Sequence, residues 1–242
     1  MNETRSGRRG FLVIVLMGLI AIGGMTAWAA RGQLFGMPVK SDENPVSEDD
    51  EAPILTLKAV KPHRKASEPK PGPALYALRA LAIALGENSA PAGRLVGDKI
   101  VHPRAIDVGF AVEAEDGVLV PVLRAADQTP LAQMTVRYNE LVELARQRRL
   151  PATAQGGSIA TVTNFGTFGL EWATPIPLPE QTLVLGMGAG RVVPHWDKKA
   201  AQFVPVTEAQ LTLSFDHRVL DGGGAGRLLQ RIGSLLQEPA AL

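Results

Sequence analysis

The stretch Leu211-Thr212-Leu213-Ser214-Phe215-Asp216-His217-Arg218-Val219-Leu220-Asp221-Gly222 changes period in the middle. Up to Asp216, apolar and polar residues alternate, the pattern of a strand with one apolar face. From Ala225 onward, Leu228, Leu229, Ile232, Leu235 and Leu236 recur at helical spacing on one side. The polar turn between them holds His217, Arg218 and Asp221, with Gly222, Gly223 and Gly224 behind. A histidine between two rigid elements, with one open face, is suited to act as a general base. Residue types and spacing leave a second reading open: Asp221 caps the helix, and His217 is a hydrogen-bonded structural histidine.

Working outward, Ile106 to Val112 and Val118 to Leu123 are β-branched apolar runs around Glu115-Asp116-Gly117, which predicts a hairpin. Thr129 and Pro130 predict the start of a helix, as N-cap and first helical residue, running to about Arg149. Its apolar face carries Leu131, Met134, Tyr138, Leu141, Leu144 and Ala145. Further strands are expected at 159–163, 183–186 and 203–205. Upstream, Ala74 to Leu85 reads as a buried helix whose one charge is Arg79, ended by Gly86. Strands and helices alternate around one core, so the fold class is α/β (α+β) rather than a sandwich.

The remaining third of the chain differs in composition. Residues 11–30 carry no charge, long enough to span a bilayer as a helix, and Arg5, Arg8 and Arg9 precede them. That charge bias places the N-terminus in the cytoplasm and the rest outside. Arg8-Arg9-Gly10-Phe11-Leu12 is similar to the core of a twin-arginine export signal, and Ala27-Trp28-Ala29 fits a cleavage site. Residues 1–30 are therefore an N-terminal membrane anchor or a cleaved signal, and the length of the run favours the anchor. Residues 31–72 are charged and proline-bearing and read as a disordered linker, with 54–60 as an edge strand within it. The globular domain is expected at 73–242.

Composition excludes several classes. A net charge of +1 gives no footing for nucleic acid. The absence of cysteine rules out a disulfide framework, a thiolate metal site and a cysteine nucleophile. The four histidines, His63, His102, His195 and His217, are scattered without metal-ligand spacing, so no metal is expected.

The turn resembles a known signature. Asp216 to Gly222 is similar to the DHRxxDG motif of the dihydrolipoamide acyltransferases, core components of the 2-oxo acid dehydrogenase complexes, which share a fold with chloramphenicol acetyltransferase. Ile106-Asp107-Val108-Gly109-Phe110-Ala111-Val112 resembles the family's VDIGVAV strand, and Asp116 to Val122 follows as it does there. Gly156-Gly157 and Thr163-Asn164-Phe165-Gly166-Thr167-Phe168-Gly169 resemble its GG and SNxGxFG stretches. The resemblance covers roughly residues 74 to 239.

It implies a chloramphenicol acetyltransferase-like mixed sheet packed with helices and a homotrimer whose active site is shared between subunits. It implies acyl transfer between coenzyme A, as a substrate, and a thiol acceptor such as dihydrolipoamide. His217 would be the general base, Thr163 would support the oxyanion, and Asp221 would hold the active-site loop or bond the reacting groups. The chain departs from the family in having no lipoyl attachment site and no subunit-binding domain; Asp197-Lys198 reads as a solvated hairpin. The family's first catalytic segment is missing or reduced to 54–60, so the domain reads as N-terminally truncated and membrane-anchored through residues 11–30. The alternative function is a catalytically silent, membrane-tethered trimeric scaffold.

Overall fold

The computed structural model describes residues 55–242. The expected membrane segment at 11–30 and the first part of the linker lie outside the described residues. Among the described residues, no helix is long and apolar enough to cross a membrane.

The chain enters on a short strand, β1 (Leu55–Thr56), and turns directly into helix α1 (Leu57–Ala66). This corrects the expectation of a disordered linker over 57–66, and it shortens the edge strand expected over 54–60 to Leu55–Thr56 among the described residues. The basic, proline-bearing sequence lacks the apolar content of a typical folded segment, and Pro62 removes one helix hydrogen bond. Tertiary contacts outweigh that. Val60 is buried, and the helix packs on the C-terminal helix and on a long strand. His63 Nδ1 and the Tyr76 hydroxyl hydrogen-bond at 2.8 Å, and Arg64 Nε donates to the Pro71 carbonyl at 2.9 Å. The folded unit therefore begins well before residue 73.

Helix α2 (Pro73–Glu87) starts on its proline and is apolar almost all round; Leu75, Leu78, Leu81 and Leu85 are fully buried. It runs through Gly86 rather than ending there. The 125–127 turn crosses close to Gly86, where a Cβ would stand 3.1 Å from Asp127 Cβ. Arg79, the helix's one cation, donates to the carbonyls of Ala126 (2.7 Å) and Leu242 (3.0 Å).

The small strands β2 (Arg94–Val96) and β3 (Lys99–Val101) form a ribbon, followed by β4 (Val108–Phe110). The predicted hairpin is β5 (Val112–Ala114) against β6 (Gly117–Leu119), and β7 (Val122–Leu123) then returns to pair with β4. Helix α3 (Leu131–Arg146) begins later than the sequence suggested. Thr129 Oγ1 donates back to the Ala125 carbonyl (3.0 Å) instead of capping, and Pro130 occupies the cap position.

The remaining elements are β8 (Ala160–Asn164), β9 (Leu183–Met187), β10 (Arg191–Asp197), β11 (Gln202–Ala209), β12 (Leu211–Phe215) and helix α4 (Gly222–Gln237). The main sheet is mixed, in the order β12-β9-β8-β4-β7, with β4, β8 and β9 parallel and the two flanking strands antiparallel. A smaller antiparallel sheet is ordered β1-β11-β10. The two sheets share one ribbon, because β9 and β10 run against β12 and β11. The pairing slips by one residue between Met187–Leu211 and Arg191–Glu208, so residues 188–190 face only 209–210, a bulge at the junction.

Register divides the main sheet into two faces. Val108, Phe110, Ala160, Val162, Leu183 and Leu185 point into the buried core shared with α2, α3 and α4. The opposite face carries Gly109, Thr161, Thr163, Val184, Gly186, Thr212 and Ser214, small or hydroxylic at nearly every position.

Candidate active site

The turn after β12 is built by its own acids. The Asp216 carboxylate accepts from the Arg218 backbone N–H (3.0 Å), Nε (2.9 Å) and Nη2 (2.7 Å). The Arg218 guanidinium holds that carboxyl down at about 2, well below the usual carboxylate range. Asp216 N–H donates to the Thr182 carbonyl (2.9 Å), tying the turn to the start of β9. Asp221 Oδ1 accepts from Gly224 N–H (2.6 Å) and caps α4, so the capping reading of this aspartate holds.

Two fixed carboxylates thus bracket His217 while its own ring stays free. His217 is exposed, stacks at a tilt on Phe215 (centroids 5.5 Å apart), and has no hydrogen-bond or ion-pair partner among the described residues. A structural histidine satisfied by a hydrogen bond is therefore not what the turn contains. Neither ring nitrogen is engaged by a partner among the described residues, so both keep their hydrogen-bonding capacity for a ligand.

Thr163 sits on the hydroxylic face of the sheet, paired in register with Gly186, which in turn pairs with Thr212. A Cβ on Gly186 would lie 2.6 Å from the Phe165 ring and 2.6 Å from Thr212 Oγ1, so glycine leaves the row Thr163–Gly186–Thr212 uncrowded. Beyond Thr163 the chain bends through a 3-10 turn, Phe165–Phe168, capped by Asn164 Oδ1 accepting from Gly166 N–H at 3.1 Å. The bend is locked by backbone contact. A Cβ on Gly166 would stand 2.5 Å from the Gly188 carbonyl carbon, and one on Gly188 would overlap the Glu171 carbonyl. The segment 168–178 that follows exposes Phe168, Leu170, Trp172, Ile176 and Leu178.

The structure does not bring Thr163 and His217 together within one chain. Ala160, Leu183 and Phe215 lie in one row across β8, β9 and β12. Thr163 is three residues beyond that row in one direction, and His217 two residues beyond it in the other. At about 3.3 Å per residue the separation along the strands is about 16 Å, with two strand spacings of about 4.8 Å across.

Sequence reading missed a polar cluster at the near end of this face. Thr161 Oγ1 donates to Gln181 Oε1 (2.7 Å), and Gln181 Nε2 donates to Ser158 Oγ (2.6 Å), all buried. Nothing in their spacing signals the contact; the parallel start of β8 and β9 creates it. Among the described residues no group of three or more histidines, cysteines or acids could hold a metal ion.

Residues 50–242 match the family model described as 2-oxoacid dehydrogenases acyltransferase (catalytic domain). The chain is 38% identical over 208 residues to the dihydrolipoyllysine-residue acetyltransferase component of the pyruvate dehydrogenase complex of Azotobacter vinelandii, covering 81% of this chain and 32% of that one. The chain thus spans about a third of the length of the curated relatives it matches. Among solved structures it is similar to an A. vinelandii dihydrolipoamide acetyltransferase examined for the roles of a serine, a histidine and an asparagine in its catalytic mechanism. That match has 31% identity and a TM-score of 0.72, covering 77% of this chain and 79% of that one. The cubic core of the pyruvate dehydrogenase multienzyme complex matches at 32% identity with the same TM-score of 0.72 and the same coverage of 77% and 79%.

Proposed function

The chain belongs to the 2-oxoacid dehydrogenase acyltransferase (catalytic domain) family, and on that premise we propose that it transfers an acyl group between coenzyme A and a thiol acceptor of the dihydrolipoamide type. His217 takes the proton from the incoming thiol, and the thiolate attacks the thioester carbonyl. The Thr163 hydroxyl donates to the tetrahedral oxyanion. When the intermediate collapses, the other sulfur leaves and recovers the proton from His217, so the base is regenerated. Asp221 acts by capping α4 and fixing the loop behind the histidine. The A. vinelandii enzyme has an asparagine four positions after its histidine, where this chain carries Asp221.

The observation that carries this reading is the separation of Thr163 from His217. Proton transfer and oxyanion support must act on groups within about 3 Å of one another. A single chain holds them far apart, whereas head-to-tail contact in a closed ring brings the histidine turn of one subunit to the hydroxylic face of the next. The exposed apolar segment 168–178 beside Thr163 fits burial at such a contact. We therefore assign a homotrimer with three shared sites.

The expected test is complementation. His217→Ala and Thr163→Val proteins, each impaired alone, should regain activity on mixing and reassembly. About a quarter of the interfaces would then unite an intact histidine with an intact threonine. No gain on mixing would place the site within one subunit. A wild-type protein that turns over no acyl-CoA would leave the scaffold reading in its place.

The charge-free run at 11–30, with arginines before it, supports a single-pass anchor and a catalytic domain outside the cytoplasm. A reporter fused after Leu242 should be active only when it is of the kind that works outside the cytoplasm. Activity of the opposite kind would reverse the topology.

A further inference from the structure

The far end of the long ribbon has a surface that acyl transfer does not use. On β10, Val192, Pro194 and Trp196 alternate onto one face, paired with Thr207, Pro205 and Phe203 of β11. Val192 is 70% exposed, Trp196 48% and Phe203 68%, and the two aromatic rings meet edge to face at 5.1 Å. This apolar tip is ringed by cations. Lys198 and Lys199 lie in the turn, and Lys58 and Lys61 of α1 line the same cavity as Asp197 and Val204. Lys61 Nζ donates to Thr207 Oγ1 at 2.7 Å, which seats α1 beside the ribbon. Asp197, the acid of the turn, is engaged inward, accepting from the backbone N–H groups of Lys199 (2.9 Å) and Ala200 (3.0 Å).

We propose that this tip docks on the interfacial zone of an anionic bilayer, Trp196 and Phe203 entering the headgroup layer and the lysines meeting lipid phosphates. The inference rests on the anchor at 11–30. Three observations favour lipid over other occupants. Indole and phenyl rings with adjacent lysines match the polarity gradient of a membrane interface. A second copy would bring the same lysines against these, whereas anionic headgroups complement them. Pro194 on the edge strand and Pro205 opposite it remove backbone donors, which disfavours addition of another strand.

The tether is long enough. Leu55 pairs with Ala209, seven residues from Gln202 at the tip, or about 24 Å along the ribbon. Residues 31–54 reach about 80 Å when fully extended. Docking would also set orientation: β11 and β12 form an almost continuous extended run from Gln202 to Phe215, so the His217 turn stands at the end away from the lipid.

The absence of native cysteine makes the test direct. An Ala200→Cys full-length protein carries one environment-sensitive fluorophore at the tip, and a Glu140→Cys protein carries the same label on α3. Both are reconstituted into nanodiscs with and without phosphatidylglycerol. The tip label should shift to the blue and be quenched by headgroup-level nitroxide lipids when phosphatidylglycerol is present. The α3 label should do neither. Trp196→Ser with Phe203→Ser, or Lys198→Glu with Lys199→Glu, should abolish the quenching while the protein stays in the disc. A protein that stays lipid-bound while its tip label remains in water overturns the docking and leaves the anchor intact. Protein recovered free of lipid overturns both. A concentration-dependent shift in detergent, without lipid, assigns the face to a second copy and overturns the proposal.

Discussion

A His217→Ala protein is expected to fold, assemble and melt like wild type while losing acyl transfer by about 10²- to 10⁴-fold, the usual contribution of a positioned base. The stability half of that statement follows from placement. The ring is exposed, contributes no hydrogen bond among the described residues, and stacks on Phe215, which packs against the core. Its removal opens no cavity of the kind that makes large-to-small changes costly. The turn's shape belongs to Asp216, Arg218 and Asp221, which remain. The loss should therefore appear in kcat at unchanged melting temperature, and it should be present with every acyl-CoA the wild type accepts. Wild-type rates in the alanine protein would remove His217 from the mechanism; a collapse in stability would show that the histidine holds the turn.

Gly188→Ala is expected to have the opposite profile, a large loss of stability from a residue with no side chain to offer the chemistry. Gly188 lies at the bulge where the two sheets join, its N–H bonded to the Gln210 carbonyl at 2.9 Å, and Ala189 N–H bonds the Leu170 carbonyl at 2.8 Å. A Cβ there would overlap the Glu171 carbonyl, and the Gly188 backbone is itself pressed against Gly166. Every neighbour in this knot is main chain, so no side-chain rotation relieves the overlap. Backbone displacement of this kind costs about 3 kcal/mol or more, about 10 °C in melting temperature for a domain of this size. Because Gly166 sits in the bend after Thr163, the displacement should also lower activity in whatever fraction remains folded. A thermal melt settles it: a midpoint within a degree or two of wild type would mean the junction yields freely.

What the residues disclosed in advance follows the reach of each interaction. The strand and helix around His217, the hairpin at 112–119 and the helix over 131–146 are written in local periodicity and turn chemistry, and they stand close to where the pattern put them. Asp221 caps its helix through a hydrogen bond three residues away, equally local. Helix α1 was illegible because its composition argues against order; partners as distant as Thr207, 146 residues on, supply what the segment lacks. Register was hidden for the same reason. Thr163 and His217 could each be singled out by motif, but their placement on opposite sides of the Ala160–Leu183–Phe215 row comes from pairing across three strands. The Ser158–Thr161–Gln181 cluster had no local signal at all.

The single surplus residue at 188–190 also constrains how such chains can drift in length. Removing it would match the two sides of the junction two against two, so β10 would keep its register and its faces against β11 while the bulge and its local bend disappeared. A single residue lost or gained inside the ladder, between Arg191 and Asp197, would instead turn the remainder of β10 over, because side chains alternate along a strand. Descendants of this sequence should therefore vary by one residue at the junction, or in the turn at 198–201, and hold their length within the paired stretch.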